Sequence, residues 1–218
     1  MSRNFDLLVF DWDGTLVDSA ELIARCIQAA GADLGLPVPS AADARHVIGL
    51  GLADALLHVF PHLPPRDYPR VVERYRAHFL QQDAAIGVFA GVPEMLAACS
   101  QAGGLLAVAT GKSRAGLRRA LASTGLEDRF DATRCADEGF PKPHPDMLHH
   151  LMATLGVDPR RTLMIGDTTH DLDMAANAGV AAIAVSYGAH TGDELRARQA
   201  LACCASVHEL HTWLAQHG

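Results

Sequence analysis

Four short apolar runs punctuate the chain: FDLLVF (5–10), LLAVAT (105–110), TLMIGD (162–167) and AAIAVS (181–186). Within each, apolar residues follow one another without polar alternation, the pattern of parallel strands covered on both faces. A weaker strand candidate lies at 130–135. Around these runs the spacing turns helical. PEMLAACSQA precedes the second run and RAGLRRALASTG follows it; DMLHHLMATLG precedes the third and HDLDMAANAG follows it. Three of these segments end on Gly125, Gly156 and Gly179, where a helix C-terminus favours a residue tolerant of positive φ. Strands alternating with helices predict an α/β domain on a parallel sheet.

One interval breaks the rhythm. Roughly a hundred positions separate Asp11 from Thr110, whereas a strand, crossover helix and strand need only about 30. The surplus, 16–86, carries helical patterns and no convincing strand. In YPRVVERYRAHFL, Tyr68, Val72, Tyr75 and Phe79 recur three or four residues apart, a stripe expected to pack as core rather than bind a ligand. The segment therefore reads as a small all-helical domain, on linkers near 14–20 and 83–90, inserted into a core formed by 1–15 and 87–218. No internal repeat or low-complexity tract is visible.

Composition narrows the class. Of the 218 residues, 49% are hydrophobic and 20% charged, which excludes a disordered or fibrous chain, and the net charge of −7 argues against a nucleic-acid surface. No stretch approaches the roughly 20 apolar residues of a membrane span, and MSRNFDLLVF lacks a secretory h-region, so a cytoplasmic protein without membrane partners is expected. Five cysteines without a CxxC pair suit reduced packing residues better than a disulfide framework or zinc site.

In an open parallel sheet, ligands bind outside the carboxyl ends of the strands. There the first run is followed by Asp11 and Asp13, the second closes on Thr110 before Gly111 and Lys112, and the third leads into Asp167 and Asp171. Lys142 stands in GFPKPHPDML, just ahead of a helix. Taken alone, DWDG is a common turn sequence. Burying several carboxylates with a hydroxyl and an ammonium is costly, however, unless a cation and an anionic ligand complete the set; Mg²⁺ with a phosphate would do so.

These residues resemble the motifs of the haloacid dehalogenase-like superfamily, and within it the phosphoglycolate phosphatase branch. DxDGT is matched by Asp11, Asp13, Gly14 and Thr15, the strand-closing hydroxyl by Thr110, Lys before PxP by Lys142, Pro143 and Pro145, and GDxxxD by Gly166, Asp167 and Asp171. The resemblance implies a Rossmann-like three-layer core with a helical cap inserted after the first strand. It also implies a Mg²⁺-dependent phosphatase working through an aspartyl-phosphate on a small phosphorylated metabolite, phosphoglycolate-like. Asp11 is then the nucleophile and Asp13 the acid and base. Lys142 and Thr110 hold phosphoryl oxygens, and the backbone N–H groups of Trp12 and Gly111 are further donors. Asp11, Asp167 and the Asp13 carbonyl are implied metal ligands, with Asp171 meeting the metal, a metal-bound water or Lys142. Asp13 separates phosphatases from the superfamily's dehalogenases, whose leaving halide needs no proton.

A pyrophosphatase, a sugar or nucleotide phosphatase and a phosphomutase share these motifs and stay open. A phosphonate hydrolase would draw a Schiff-base lysine from the insert, and 16–86 contains no Lys. A phosphoacceptor signalling domain would carry its motifs in a different order, and a non-catalytic binding protein would be expected to lack one of them. In the insert, Gly49, Leu50 and Gly51 of HVIGLGLADAL are the candidate substrate-facing cap loop, against the alternative of a plain connector. Lys112 is expected to be solvated or phosphate-attracting, and His144 and His170 to have no part in the chemistry. A monomer or weak homodimer is anticipated.

Overall fold

The computed structural model describes residues 4–217. Its elements are β1 (Leu7–Phe10), α1 (Ala20–Asp33), α2 (Ala41–His46), α3 (Leu52–Val59), α4 (Tyr68–Leu80), α5 (Val92–Gln101), β2 (Leu105–Thr110) and α6 (Arg114–Thr124). There follow β3 (Ala132–Cys135), α7 (Asp146–Leu155), β4 (Thr162–Gly166), α8 (Thr169–Ala178), β5 (Ala181–Val185), α9 (Gly192–Arg196), β6 (Cys203–Cys204) and α10 (Val207–His217). All strands pair in parallel, in the order β3-β2-β1-β4-β5-β6. The chain builds outward from β1 on one side, then returns to build the other side from β4. The switch point therefore lies at the end of β1, directly before Asp11.

Successive residues of each central strand feed opposite layers. Leu8 and Phe10 pack with Val108, Ile165 and Ile183 beneath α5 and α10; Leu7 and Val9 pack with Ala107, Met164 and Met174 beneath α7 and α8. That two-sided burial is why the strands show no polar alternation. Helices α6, α7 and α8 stop at Gly125, Gly156 and Gly179 in the left-handed conformation, as their sequence predicts. Beyond 186 the sequence reading assigns no element, yet the structure adds α9, β6 and α10. The last is held by Val207, Leu210 and Leu214 on one helical face.

Between β1 and β2, α1–α4 assemble a helical unit around Ile23, Ile27, Leu56, Phe60 and Val71. The stripe on α4 packs as its spacing predicts: Tyr68, Val72, Tyr75 and Phe79 all rest, partly buried, against this unit. Tyr75 and Phe79 also stack on each other at 5.8 Å and border a cavity that reaches the strand ends. Helical spacing shows the packing face of α4 but not that part of the same face borders a cavity. The two connecting segments run side by side: Val17 bridges Val88 in antiparallel fashion, and Asp18 N donates to the Gly87 carbonyl. No helix among the described residues is long and apolar enough to cross a membrane.

Candidate active site

Asp11 leaves β1 with its backbone N–H donating to the Ile165 carbonyl and its side chain buried. Lys142 Nζ reaches it from the segment before α7, 2.5 Å from Oδ1, and lies 2.6 Å from Asp171 Oδ1 as an ion pair. Asp171 sits at the start of α8, where its other oxygen closes a capping box by accepting from Thr168 N (3.1 Å) and Thr168 Oγ (2.7 Å). The helix start thus fixes a carboxylate that in turn fixes the lysine.

Asp167 follows β4 and is fully buried. Its Oδ1 accepts from the Thr15 hydroxyl at 2.8 Å, and its Oδ2 from Ala189 N at 2.7 Å. Gly14, at φ +81°, comes so close that a Cβ there would stand 2.2 Å from Asp167 Oδ2, as would one at Gly188. Asp13 points the other way. Its Oδ1 accepts from Ser19 Oγ at 2.7 Å and pairs with Lys112 Nζ at 3.0 Å. Of the two expectations for Lys112, solvated or phosphate-attracting, the first does not hold: its side chain is 13% exposed and it also lies over the Phe79 ring, 4.8 Å from the centroid. Thr110 closes β2, and its hydroxyl oxygen accepts from Lys112 N, which leaves the hydroxyl proton to donate.

Burial drives the Asp11 carboxyl pKa well up; Lys142 opposes this, and Asp171 and Asp167 add to it. Burial likewise pushes Asp167 up to about 7, with Asp171 adding to the rise against the Ala189 and Thr15 hydrogen bonds. For Lys142, burial favours the neutral amine, but Asp11 and Asp171 outweigh it and hold the pKa above the ordinary lysine value. Asp11, Asp167 and Asp171 bring oxygens within 4.8 Å of one another around this single ammonium, and Asp11 Oδ2 is buried without a hydrogen-bond partner. An excess of buried negative charge with one orphaned carboxylate oxygen fits a hard divalent cation such as Mg²⁺.

The cap loop closes over this set. The Leu50 and Gly49 carbonyl oxygens would stand 2.4 and 2.7 Å from a Cβ on Gly111, and Gly49 faces Thr168. Gly51 lies near Ala136 and Pro141. Gly111→Ala should therefore push the loop off the core and raise KM for a phosphate ester at least about tenfold, while thermal stability changes little; steady-state kinetics beside a melting curve checks this. Trp12 contributes a buried ring packed edge-on to Phe130 at 6.3 Å. His170 and His190 Nε2 both reach the His46 carbonyl at the end of α2, at 2.7 and 3.0 Å, so they join cap to core rather than line the reacting centre. His144 rests against Phe140 near the surface.

Of the strand-end candidates, Asp11, Lys142, Asp167 and Asp171 thus converge, while Asp13 and Thr110 each contact Lys112. The sequence reading missed Ser19, Thr168, Ala189 and Gly188, which act on the carboxylates through hydroxyls, two backbone N–H groups and the lack of a side chain. Thr15 was visible only as part of a motif. A small residue after the fourth apolar run, in VSYGAH, was the one signal for the Asp167 contact.

A family model described as haloacid dehalogenase-like hydrolase matches residues 8–185. A probable phosphatase, IndB, from Dickeya dadantii is 42% identical over 199 residues, covering 88% of this chain and 86% of that one. A 5'-nucleotidase from Pseudomonas aeruginosa is 35% identical over 214 residues, covering 96% of each. A phosphoglycolate phosphatase from Agrobacterium fabrum is 33% identical over 191 residues, covering 84% and 81%. The crystal structure of a predicted phosphatase from Clostridium acetobutylicum superposes with a TM-score of 0.86 at 25% identity, over 99% of this chain and 100% of that one. With its motifs gathered at one switch point and this agreement over nearly its whole length, the chain belongs to the haloacid dehalogenase-like hydrolases.

Proposed function

We propose that this chain is a Mg²⁺-dependent phosphatase that hydrolyses a small phosphate monoester through an aspartyl-phosphate at Asp11. The observation that carries the reading is Asp11 itself: a buried carboxylate at the switch point, one oxygen held by Lys142 and the other without a protein partner. In the first half-reaction the Asp11 carboxylate forms a bond to phosphorus while the ester P–O bond breaks, and Asp13 gives its proton to the departing alkoxide. In the second, Asp13 takes a proton from water, whose oxygen bonds to phosphorus as the Asp11–phosphorus bond breaks, releasing phosphate. Lys142 and Thr110 hold phosphoryl oxygens in line. Asp11, Asp167 and the Asp13 carbonyl would hold Mg²⁺, which would offset phosphoryl charge when bound. Asp171 is committed to Lys142 and Thr168 and acts by orienting the lysine.

Two substrate readings follow. Phosphoglycolate is the one implied by the motif resemblance and by the name of the Agrobacterium relative. A nucleoside monophosphate agrees with the name of the Pseudomonas relative and with the apolar cavity beside Asp13. The reading as a whole is tested by Mg²⁺-dependent release of phosphate from p-nitrophenyl phosphate: no release at any Mg²⁺ concentration would overturn it.

Asp13→Asn keeps the nucleophile and loses the proton. It should lower kcat by about 10²–10⁴ for an alkyl phosphate but far less for the first half-reaction of an activated aryl phosphate, whose leaving group needs no proton. Pre-steady-state kinetics on both substrates measures the difference, and equal losses would contradict the role.

The pKa shifts give a second expectation. In metal-free protein Asp167 stays protonated up to about 7, whereas in the unfolded chain an aspartate ionises near pH 4, so the stability that protonation provides is lost as pH rises from about 4 to about 7. Mg²⁺ requires the ionised forms and restores stability where they predominate. The rise in Tm on adding Mg²⁺ should therefore be larger at pH 8 than at pH 5.5, a comparison that differential scanning fluorimetry makes directly.

A further inference from the structure

Resting on the phosphatase reading above, we propose that the leaving group is an uncharged, ring-bearing alcohol, so that the substrates are nucleoside monophosphates rather than small phosphorylated acids. The half-open cleft beside the reacting centre amounts to about 390 Å³. It lies in the range of pockets that hold drug-sized ligands, about 300–1,000 Å³, and glycolate would leave most of it unfilled. One end opens on Asp13, Gly111 and Lys112, where a scissile ester must lie; the cap supplies an apolar wall through Ile23, Ile27, Tyr75 and Phe79, and core residues such as Ala136 and Pro141 complete it.

The charges of this cavity decide against an acid. Lys112, the cation nearest Asp13, is already paired with that carboxylate at 3.0 Å. Arg119 stands half-exposed at the mouth, 3.9 Å from Asp83, and Arg76 is exposed. A carboxylate drawn in behind the phosphate would lose its water and meet isoleucine and aromatic rings, with cations only at the wet rim. A sugar alone fares little better, since most of its hydroxyls would face apolar wall. A nucleobase offers planar faces to the aromatic pair on α4, Tyr75 and Phe79. The Tyr75 phenol borders the cavity with no hydrogen-bond partner among the described residues and lies near enough to Asp13 to feel its charge. It supplies a neutral polar group where the sugar hydroxyls would pass.

The experiment compares kcat/KM, with Mg²⁺, for uridine and adenosine 5′-monophosphates, ribose 5-phosphate, phosphoglycolate and p-nitrophenyl phosphate. We expect the better nucleotide to exceed both ribose 5-phosphate and phosphoglycolate by about 10–200-fold, the range that apolar complementarity provides. Free uridine or adenosine should inhibit p-nitrophenyl phosphate hydrolysis competitively at concentrations where glycolate does not. Phe79→Arg should lower the nucleotide to phosphoglycolate ratio at least about tenfold; because that variant could fail to fold, the wild-type ratios and the inhibition carry the decision. A wild-type ratio below about tenfold, or inhibition by glycolate but by neither nucleoside, overturns the inference. Hydrolysis of p-nitrophenyl phosphate in that case leaves the phosphatase reading standing, whereas failure on every ester removes both.

Discussion

Asp11→Asn should abolish turnover of every phosphate ester, with kcat falling by about four orders of magnitude or more. The amide is neutral and a poor nucleophile, so a covalent path through residue 11 closes, while the remaining groups can still bind and polarise the phosphoryl group. The substitution also removes one negative charge from the buried cluster of Asp11, Asp167 and Asp171 around Lys142. The metal-free variant should therefore fold at least as well as the wild type at neutral pH, and the Tm increment from Mg²⁺ should shrink. Loss of activity combined with unimpaired stability separates a chemical role from a structural one. Turnover above a few per cent of wild type, with deamidation excluded by mass spectrometry, would refute the assignment.

Lys142→Met has the second largest expected effect and the opposite stability signature. The ammonium is fully buried between Asp11 and Asp171, so its removal leaves two uncompensated carboxylates in the interior. Breaking such a pair costs about 3–5 kcal/mol, which corresponds to roughly a 10 °C fall in Tm for a chain of this size. At neutral pH the released charge should be met by proton uptake, since burial already holds the Asp11 pKa well up and Lys142 is the group opposing that rise. The destabilisation should therefore be greater at pH 8 than at pH 5.5. Activity should fall together with stability because the same ammonium holds the phosphoryl oxygens. A variant that melted like wild type at pH 8 would mean that the ion pairs at 2.5 and 2.6 Å are not what holds this centre together.

How much of this was legible beforehand depended on the kind of signal. The four apolar runs became β1, β2, β4 and β5 because two-sided burial leaves a mark on every residue of a strand. β6 is two residues long, and a pair of cysteines at a sheet edge leaves no such mark. Asp11, Asp13, Thr110, Lys142, Asp167 and Asp171 could be picked out because each follows a strand or precedes a helix at a motif spacing, and the fold brings them together. Their supporting contacts were not legible. Ser19 and Lys112, far apart in sequence, meet at Asp13 Oδ1, and Ala189 reaches Asp167 through a backbone N–H that no side chain announces. The solvated alternative for Lys112 fails for a physical reason: exposure is the usual state of a lysine beside a turn, and here Asp13 pairs with its ammonium while Phe79 of the cap lies beneath it. Tyr75 and Phe79 pack against the helical core and border the cavity as well, and the second role leaves no mark in their spacing.

The central claim, that phosphoryl transfer passes through Asp11, is tested most directly by trapping the intermediate in Asp13→Asn. That variant keeps the nucleophile and lacks the base for the second half-reaction, so with p-nitrophenyl phosphate and Mg²⁺ it should release about one nitrophenol per active site and then stall. Acid quench and peptide mass spectrometry should find one phosphoryl group, on Asp11, in an amount matching the burst. A burst with no phosphoryl group on the protein, or with the group on another residue, would contradict the account.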